Sequence, residues 1–307
     1  MKFYYGLKHV NLSGSVVTIG AFDGVHLGHQ ALITQLLQQA KAFNLPSVVV
    51  LFEPQPKEYF SKATSRRIYR LRDKLAILSQ LGVDHVVCLH FTDSMAKLSP
   101  ETFINKVLLE GLGVKHLVVG DDFRFGAKRQ GDYALLQRFG ERNDYSIENT
   151  PTVMVDGRRV GSSWVREALL VADFSTVTRL LGRAYQLSGK IGQGQKLGRT
   201  IGIPTLNIRM PSNLCLSGIF AVEVLGIIGQ NRAVRGAGYI GFRPTLKGHQ
   251  CFLEVHLLGP VPDCYGQVVQ VKFLAKIRDD STFDSVAALK TQMQHDIKKI
   301  NHFFETK

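Results

Sequence analysis

The hydrophobic pattern of the chain changes kind once, near residue 182, and that change restricts it to folds made of two unlike domains. From residue 15 to about 182, short β-branched runs alternate with segments of helical period. SVVTIGAF (15–22) reads as a buried strand, and after it Leu32, Leu36 and Ala40 form one helical stripe with Ile33 and Leu37 beside them. SVVVLF (47–52) predicts a strand, residues 66–82 a helix, and DHVVCLHF (84–91) a third strand. An amphipathic helix follows from about Pro100 to Glu110, entered through Ser99-Pro100, and KHLVVG (115–120) predicts a further strand. Strands separated by helices need crossovers, which predicts a parallel, doubly wound α/β sheet. Beyond Gly182 strand-like runs follow one another directly: AYQLSGKI, TLNIRM, GIFAVEVLGII, RAVRGAGYIG, CFLEVHLL and VVQVKFLAKI. Six such runs separated by turn residues predict an antiparallel β-barrel or sandwich. Val286, Leu289, Met293, Ile297 and Ile300, at steps of three and four, predict a closing helix. The expected domains are 1–183 and 184–307.

A length of 307 residues agrees with about two domains. No apolar run approaches the roughly 18 residues of a membrane span, and MKFYYGLKHV lacks the pattern of a secretory signal, so a soluble cytoplasmic protein is expected. Cys88, Cys215, Cys251 and Cys264 contain no C-x-x-C pair, which argues against a zinc site or disulfide frame. Lys and Arg number 38 against 25 Asp and Glu, a net charge of +13. That surplus suits nucleic acid, an anionic membrane, phosphate-bearing small substrates or an ordinary solvated surface, and charge alone does not choose.

The first chemical constellation is the run from Gly20 to His29, GAFDGVHLGH, between a strand and a helix. Ligands of doubly wound sheets bind beyond the carboxyl ends of strands. Gly20, Gly24 and Gly28 let the backbone approach a ligand, and the helix start offers unpaired N–H groups to an anion. His26 and His29, three residues apart, face the same way and can donate to one phosphate, stabilising charge on a transferred phosphoryl centre. Capping the helix, or beginning a metal site, are the other readings of the pair. The extended pattern through Phe22 and Asp23 resembles the adenylyltransferase module of the bifunctional prokaryotic riboflavin kinase/FAD synthetases, a Rossmann-like nucleotidyltransferase fold.

Further segments carry the same resemblance. LFEPQP (51–56) resembles the family's second-strand exit, with Pro54 and Pro56 shaping a loop near the nucleotide. GDDFRFG (120–126) resembles its flavin-side loop, in which Asp122 offers a carboxylate and Phe123 and Phe125 flat apolar surface for a flavin. Residues 159–166, RVGSSWVR, resemble the family's R-(I/V)-S-S-T-x-(I/V)-R, implying that Ser162, Ser163 and a catalytic Arg166 hold ATP phosphates. Gly161 replaces the first serine of that pattern and Ser163 its threonine, which removes one hydroxyl donor.

The second constellation is GKIGQGQKLGRTIGIPTLN (189–207). Its glycines and basic residues suggest a phosphate cradle, with a turn-rich hairpin as the other reading, and it lacks the G-K-[ST] ending of a P-loop. It resembles the riboflavin kinase signature G-x-x-x-G-R-x-x-G-x-P-T-x-N. By that resemblance Gly192, Lys196, Gly198, Arg199 and Pro204 belong to the ATP site, while Thr205 and Asn207 hold Mg²⁺ and phosphate. LEVH (253–256) resembles the segment bearing the family's general base, here Glu254, and KIRDDSTF (276–283) implies Arg278 and Phe283 beside the flavin. Residues 259–266, GPVPDCYG, depart from the family's D-L-Y-G and introduce Pro260 and Pro262.

The resemblance implies ATP-dependent phosphorylation of riboflavin to FMN, then adenylylation of FMN to FAD, with Mg²⁺ as cofactor. It implies small-molecule partners and no nucleic acid or membrane. A kinase with weak or absent adenylyl transfer, and a basic nucleic-acid-binding protein, are the competing expectations.

Overall fold

The computed structural model describes residues 1–61, 66–194, 197–245, 248–260 and 263–306. The first half builds β1 (Lys2–Tyr5), β2 (Ser15–Ile19), α1 (Leu27–Phe43), β3 (Ser47–Glu53), α2 (Pro56–Ser61), α3 (Leu71–Gln80) and β4 (His85–His90). After these come α4 (Asp93–Ala96), α5 (Pro100–Phe103), a π-helix (Ile104–Gly111), β5 (Val114–Gly120), α6 (Tyr133–Asn143), β6 (Ser146–Thr150) and a small hairpin of β7 (Met154–Val155) and β8 (Arg158–Arg159). Six strands form one sheet in the order β1-β4-β3-β2-β5-β6, and every pairing is parallel. β2 is buried throughout, as a central strand covered on both faces must be. Its carboxyl end lies where the strand order reverses, between β3 and β5, so the 20–26 loop opens at the switch point. Leu32, Ile33, Leu36 and Ala40 of α1 are buried as expected.

The second half builds α7 (Ser162–Leu170), α8 (Phe174–Leu181), β9 (Gln186–Gly192), α9 (Leu197–Thr200) and β10 (Leu206–Met210). It continues with β11 (Gly218–Leu225), β12 (Val234–Thr245), β13 (Gly248–Leu257), β14 (Val268–Arg278) and α10 (Val286–Glu305). The six strands close into an antiparallel barrel, β10-β13-β12-β11-β14-β9, which selects the barrel over the sandwich. Ser285 caps α10 by accepting from the Ala288 N–H, and Ile300 and Phe304 pack on Ile219 and Ala221 of β11.

Two expectations need revision. The helix predicted over 66–82 starts only at Leu71, because the residues before it are held by other contacts: Arg67 bridges Leu214 and its N–H donates to Asn213 O at 2.7 Å, and the chain bends at Ile68 and Tyr69. The helix entered at Ser99 continues beyond Phe103 as a π-helix, which keeps Ile104, Val107 and Leu108 buried. The chain separates into two compact units, one of residues 1–65 and 74–162, the other of 66–73 and 163–307. The second thus includes an eight-residue segment from the first half. Within it Tyr185 Oη donates to Ile68 O at 2.7 Å, and the Asp73 carboxylate accepts from both N–H and Oγ of Ser188.

Candidate active sites

In the first unit the loop between β2 and α1 is held in an uncommon path. Phe22 and Val25 have φ of 47° and 42°, flanking Gly24 at φ 90°. Two non-glycine residues in the left-handed region cost about 1–3 kcal/mol each and persist only where their surroundings impose them. Ser162 Oγ donates to Asp23 O at 2.8 Å, and Lys74 Nζ donates to Ala21 O at 3.0 Å. Asp23 and Phe22 are buried, and Gly20 lies against the Phe22 ring, where a Cβ would come within 2.9 Å.

His26 is the N-cap of α1, its Nδ1 accepting from the His29 N–H at 3.4 Å. The capping reading and the ligand reading are therefore compatible. With Nδ1 as acceptor, the neutral ring carries its proton on Nε2, where it can be donated onward. The two imidazoles stack with centroids 3.7 Å apart, and His29 also meets the Phe22 ring at 5.0 Å. Gly28 packs against the His26 ring, with a Cβ position 3.2 Å from it. Strand end, strained loop and helix start thus bring Gly20, Phe22, Asp23, Gly24, His26, Gly28, His29 and Ser162 together.

The other residues of this half are distributed differently. Ser163 and Arg166 belong to the second unit, where Arg166 Nε donates to Arg66 O at 2.7 Å. Asp122 is exposed and shares Arg159 Nη2 with Asp121, each at 3.0 Å. The Thr152 hydroxyl, seconded by Arg159, holds the Asp121 carboxyl below the ordinary carboxylate range. Phe125 is buried against Phe103, whereas Phe123 stacks on Phe125 and is only partly buried. This aromatic chain runs on through Phe52 and Phe91 to Tyr59 and Phe60, with Phe60 68% exposed. Tyr59 Oη also donates to Asp93. Sequence reading missed Phe60 and fully buried Lys74, since an aromatic or a lysine on a helix carries no mark of its neighbours.

Gly161 stands at the entry of α7, and a Cβ there would meet nothing within 4 Å. Gly161→Ser is therefore expected to change stability by only a few tenths of a kcal/mol, serine and glycine both being accepted at helix entries. If the segment acts as its resemblance to the family's R-(I/V)-S-S-T pattern implies, supplying the absent hydroxyl is expected to raise kcat/KM for adenylyl transfer about tenfold, the worth of one hydrogen bond to a charged group. Steady-state rates of FAD formation check this, and an unchanged rate would show that position 161 does not reach the nucleotide.

In the second unit β10 and β13 pair so that Asn207 lies opposite Glu254. Thr205, just before β10, donates through Oγ1 to Glu254 Oε2 at 3.3 Å. Asn207 Nδ2 donates to Thr205 O at 3.1 Å, which turns the amide so that Oδ1, buried, has no hydrogen-bond partner. Two cavities of about 380 Å³ each adjoin Thr205. Gly198, Thr205, Glu254, Arg278 and Phe283 line one, together with Tyr239 and Asp280. Arg199, Pro204 and Thr205 line the other, with Asp263, Cys264 and Tyr265.

The glycines of this loop have specific tasks. A Cβ on Gly194 would lie 2.5 Å from Asn207 Cγ, and one on Gly198 would lie 2.3 Å from Ile203 O. Gly192 pairs with Asn207 across β9 and β10. Lys196 lies outside the described residues. Arg199 Nη2 donates to Tyr265 Oη at 3.0 Å, its guanidinium 5.7 Å from that ring's centroid. Burial pushes the Cys264 thiol up, and that of Cys251 to about 11, so neither is a ready nucleophile. Of the periodic residues of α10, Leu289, Met293 and Ile297 line the first cavity, Ile300 packs on the barrel and Val286 is exposed. Sequence periodicity identified the stripe but not what it covers.

Comparison with known proteins finds a family match for each half of the chain. The FAD synthetase family profile matches residues 8–164 and the riboflavin kinase profile residues 181–304. The bifunctional riboflavin kinase/FMN adenylyltransferase of Haemophilus influenzae is 41% identical over 310 residues, covering 100% of each chain. That of Escherichia coli K12 is 42% identical over 99% of this chain and 98% of the relative, and that of Pseudomonas fluorescens 43% identical over 92% and 91%. A solved structure titled as a macrolide-efflux protein from Streptococcus pneumoniae shares the fold, with TM-score 0.77 and 27% identity over 98% of this chain and 99% of that one. With both profiles matched and relatives above 40% identity along its full length, the chain belongs to the bifunctional riboflavin kinase/FMN adenylyltransferase family.

Proposed function

We propose that residues 184–307 transfer the γ-phosphoryl group of ATP to the ribityl 5′-hydroxyl of riboflavin, and that residues 1–183 then join FMN to the adenylyl group of a second ATP. The observation that carries the reading is Thr205, shared by two cavities and 3.3 Å from the Glu254 carboxylate. The cavity of Glu254, Arg278 and Phe283 suits the flavin, and that of Arg199 and Pro204 suits ATP. Glu254 accepts the hydroxyl proton as the ribityl oxygen attacks the γ-phosphorus and ADP leaves. In the second reaction a phosphate oxygen of FMN attacks the α-phosphorus and pyrophosphate leaves. His26, His29 and the α1 N–H groups donate to the oxygens that gain charge, and Ser162 secures the loop through Asp23 O. Asp122 and Phe123 form the flavin side, with Phe125 supporting Phe123 from the core.

The donor set at 205–207 fits Mg²⁺. Asn207 Oδ1 is a buried oxygen without a hydrogen-bond partner, and an unsatisfied group of this kind costs about 1–3 kcal/mol that a cation would offset. Thr205 Oγ1 donates to Glu254 and accepts only a long 3.5 Å contact from Asn207 Nδ2, which leaves a lone pair available, and both it and Asn207 Oδ1 are hard oxygens. Bound there, the ion would offset negative charge on the phosphates. Gly194→Ala is expected to push Asn207 aside and raise the Mg²⁺ concentration for half-maximal FMN formation roughly 10- to 100-fold. A magnesium titration of initial rate measures this, and an unshifted midpoint would remove Asn207 from the metal site.

All substrates are small anions or a neutral flavin, so the basic surplus needs no nucleic-acid or membrane partner, and a cytoplasmic setting suits them. Among the described residues no helix is long and apolar enough to cross a membrane. Incubation with riboflavin, ATP and Mg²⁺, followed by chromatography of the flavins, tests the whole reading. FMN without FAD would refute the second step, and neither product would refute both.

A further inference from the structure

α10 carries a buried carboxylate in its apolar stripe: Asp296 is 3% exposed and lines the flavin-side cavity at its edge together with Met293 and Ile297. Arg278, at the end of β14, meets it in a two-point ion pair. Its Nε lies 3.0 Å from both carboxylate oxygens and its Nη2 2.8 Å from Oδ2. Gln292 Nε2, one turn back on the helix, donates to Asp296 Oδ1 at 2.9 Å. On its other edge Arg278 Nη1 donates to Asp279 O at 2.9 Å and to Ser281 Oγ at 2.8 Å. Four of the five guanidinium N–H groups are thereby directed, the plane has one orientation, and Phe283 lies against it at 5.7 Å.

A buried ion pair is a poor source of stability, since apolar side chains of equal volume fasten a helix at least as well. What the two-point pair supplies instead is direction, because a guanidinium fork matched to a carboxylate has little rotational freedom. We propose that Asp296 is a positioning residue for the acceptor cavity: it fixes the Arg278 plane, and with it Phe283, as the wall against which the flavin ring lies, and neutralises a cation next to an uncharged ring. The inference rests on the reading of this unit as the riboflavin kinase.

The test uses the full-length chain. Asp296→Asn keeps shape and removes charge, so the Arg278 plane is released. It is expected to raise KM for riboflavin about tenfold or more, within the range for partners that orient a binding group, while kcat and KM for ATP stay within about twofold. Arg278→Lys, which keeps the charge and loses the fork, is expected to match it, and the double variant to be no worse than the poorer single. FAD formation from supplied FMN should be unaffected. Should Asp296→Asn fail to fold, Arg278→Lys carries the test by the same criterion. A riboflavin KM within about twofold of wild type, or a parallel loss of kcat and both KM values, would overturn the proposal and leave the pair as a fastening of α10. If the unaltered protein makes no FMN, it is the assignment of the kinase that fails.

Discussion

Glu254→Gln is expected to lower kcat for FMN formation roughly 10²- to 10⁴-fold, the usual contribution of a positioned general base. FAD formation from supplied FMN is expected to stay at the wild-type rate. The side chain projects from β13 opposite Asn207, lines the flavin-side cavity and accepts from Thr205 Oγ1 at 3.3 Å. Glutamine has the same volume, and its amide oxygen still accepts from Thr205. The carboxylate's ability to take the ribityl proton is the property removed, so the loss should fall on kcat with KM for riboflavin little changed. Initial rates of FMN and FAD formation, measured separately on the same preparation, decide the matter. An FMN rate within about fivefold of wild type would exclude Glu254 as the base.

The complementary outcome is expected at the other site, where His29→Ala should reduce FAD formation about 10²- to 10³-fold, the effect of deleting one donor to developing charge. FMN formation should persist. His29 is the cleaner of the two histidines to alter, because the His26 ring caps α1 and its removal would also cost about 1 kcal/mol of helix stability. Losing the His29 ring vacates space against His26 and Phe22, so a urea titration should accompany the assay. Loss of both activities in a folded variant would mean that one site serves both reactions.

Much of the architecture was legible because patterning and burial agree. Strands β9, β13 and β14 of the barrel alternate in period two, and β2 and β3 of the parallel sheet are β-branched runs. The edges of the sheet were not legible. β6 is SIENT, a polar run that becomes a strand only because β5 offers it a partner, and β1 is four residues long. Residues 66–70 keep helical spacing yet are not helical, since the pairing of Arg67 with Leu214 and Asn213 outweighs local preference. At the sites, motifs made His26, His29, Thr205, Asn207 and Glu254 visible. Asp296 was hidden because a carboxylate within an apolar stripe reads as a solvated residue until its partner, eighteen positions upstream, is placed.

The borrowed segment 66–73 bears on how such a chain can be dissected or recombined. A gene fragment beginning at residue 184 would encode all six barrel strands yet omit the acceptors of Tyr185 Oη and Ser188, and the partner backbone of Asn213. The compact unit that holds the barrel, 66–73 with 163–307, is therefore discontinuous in the gene, so grafting the barrel onto another host requires carrying that octapeptide along or redesigning the surface it covers.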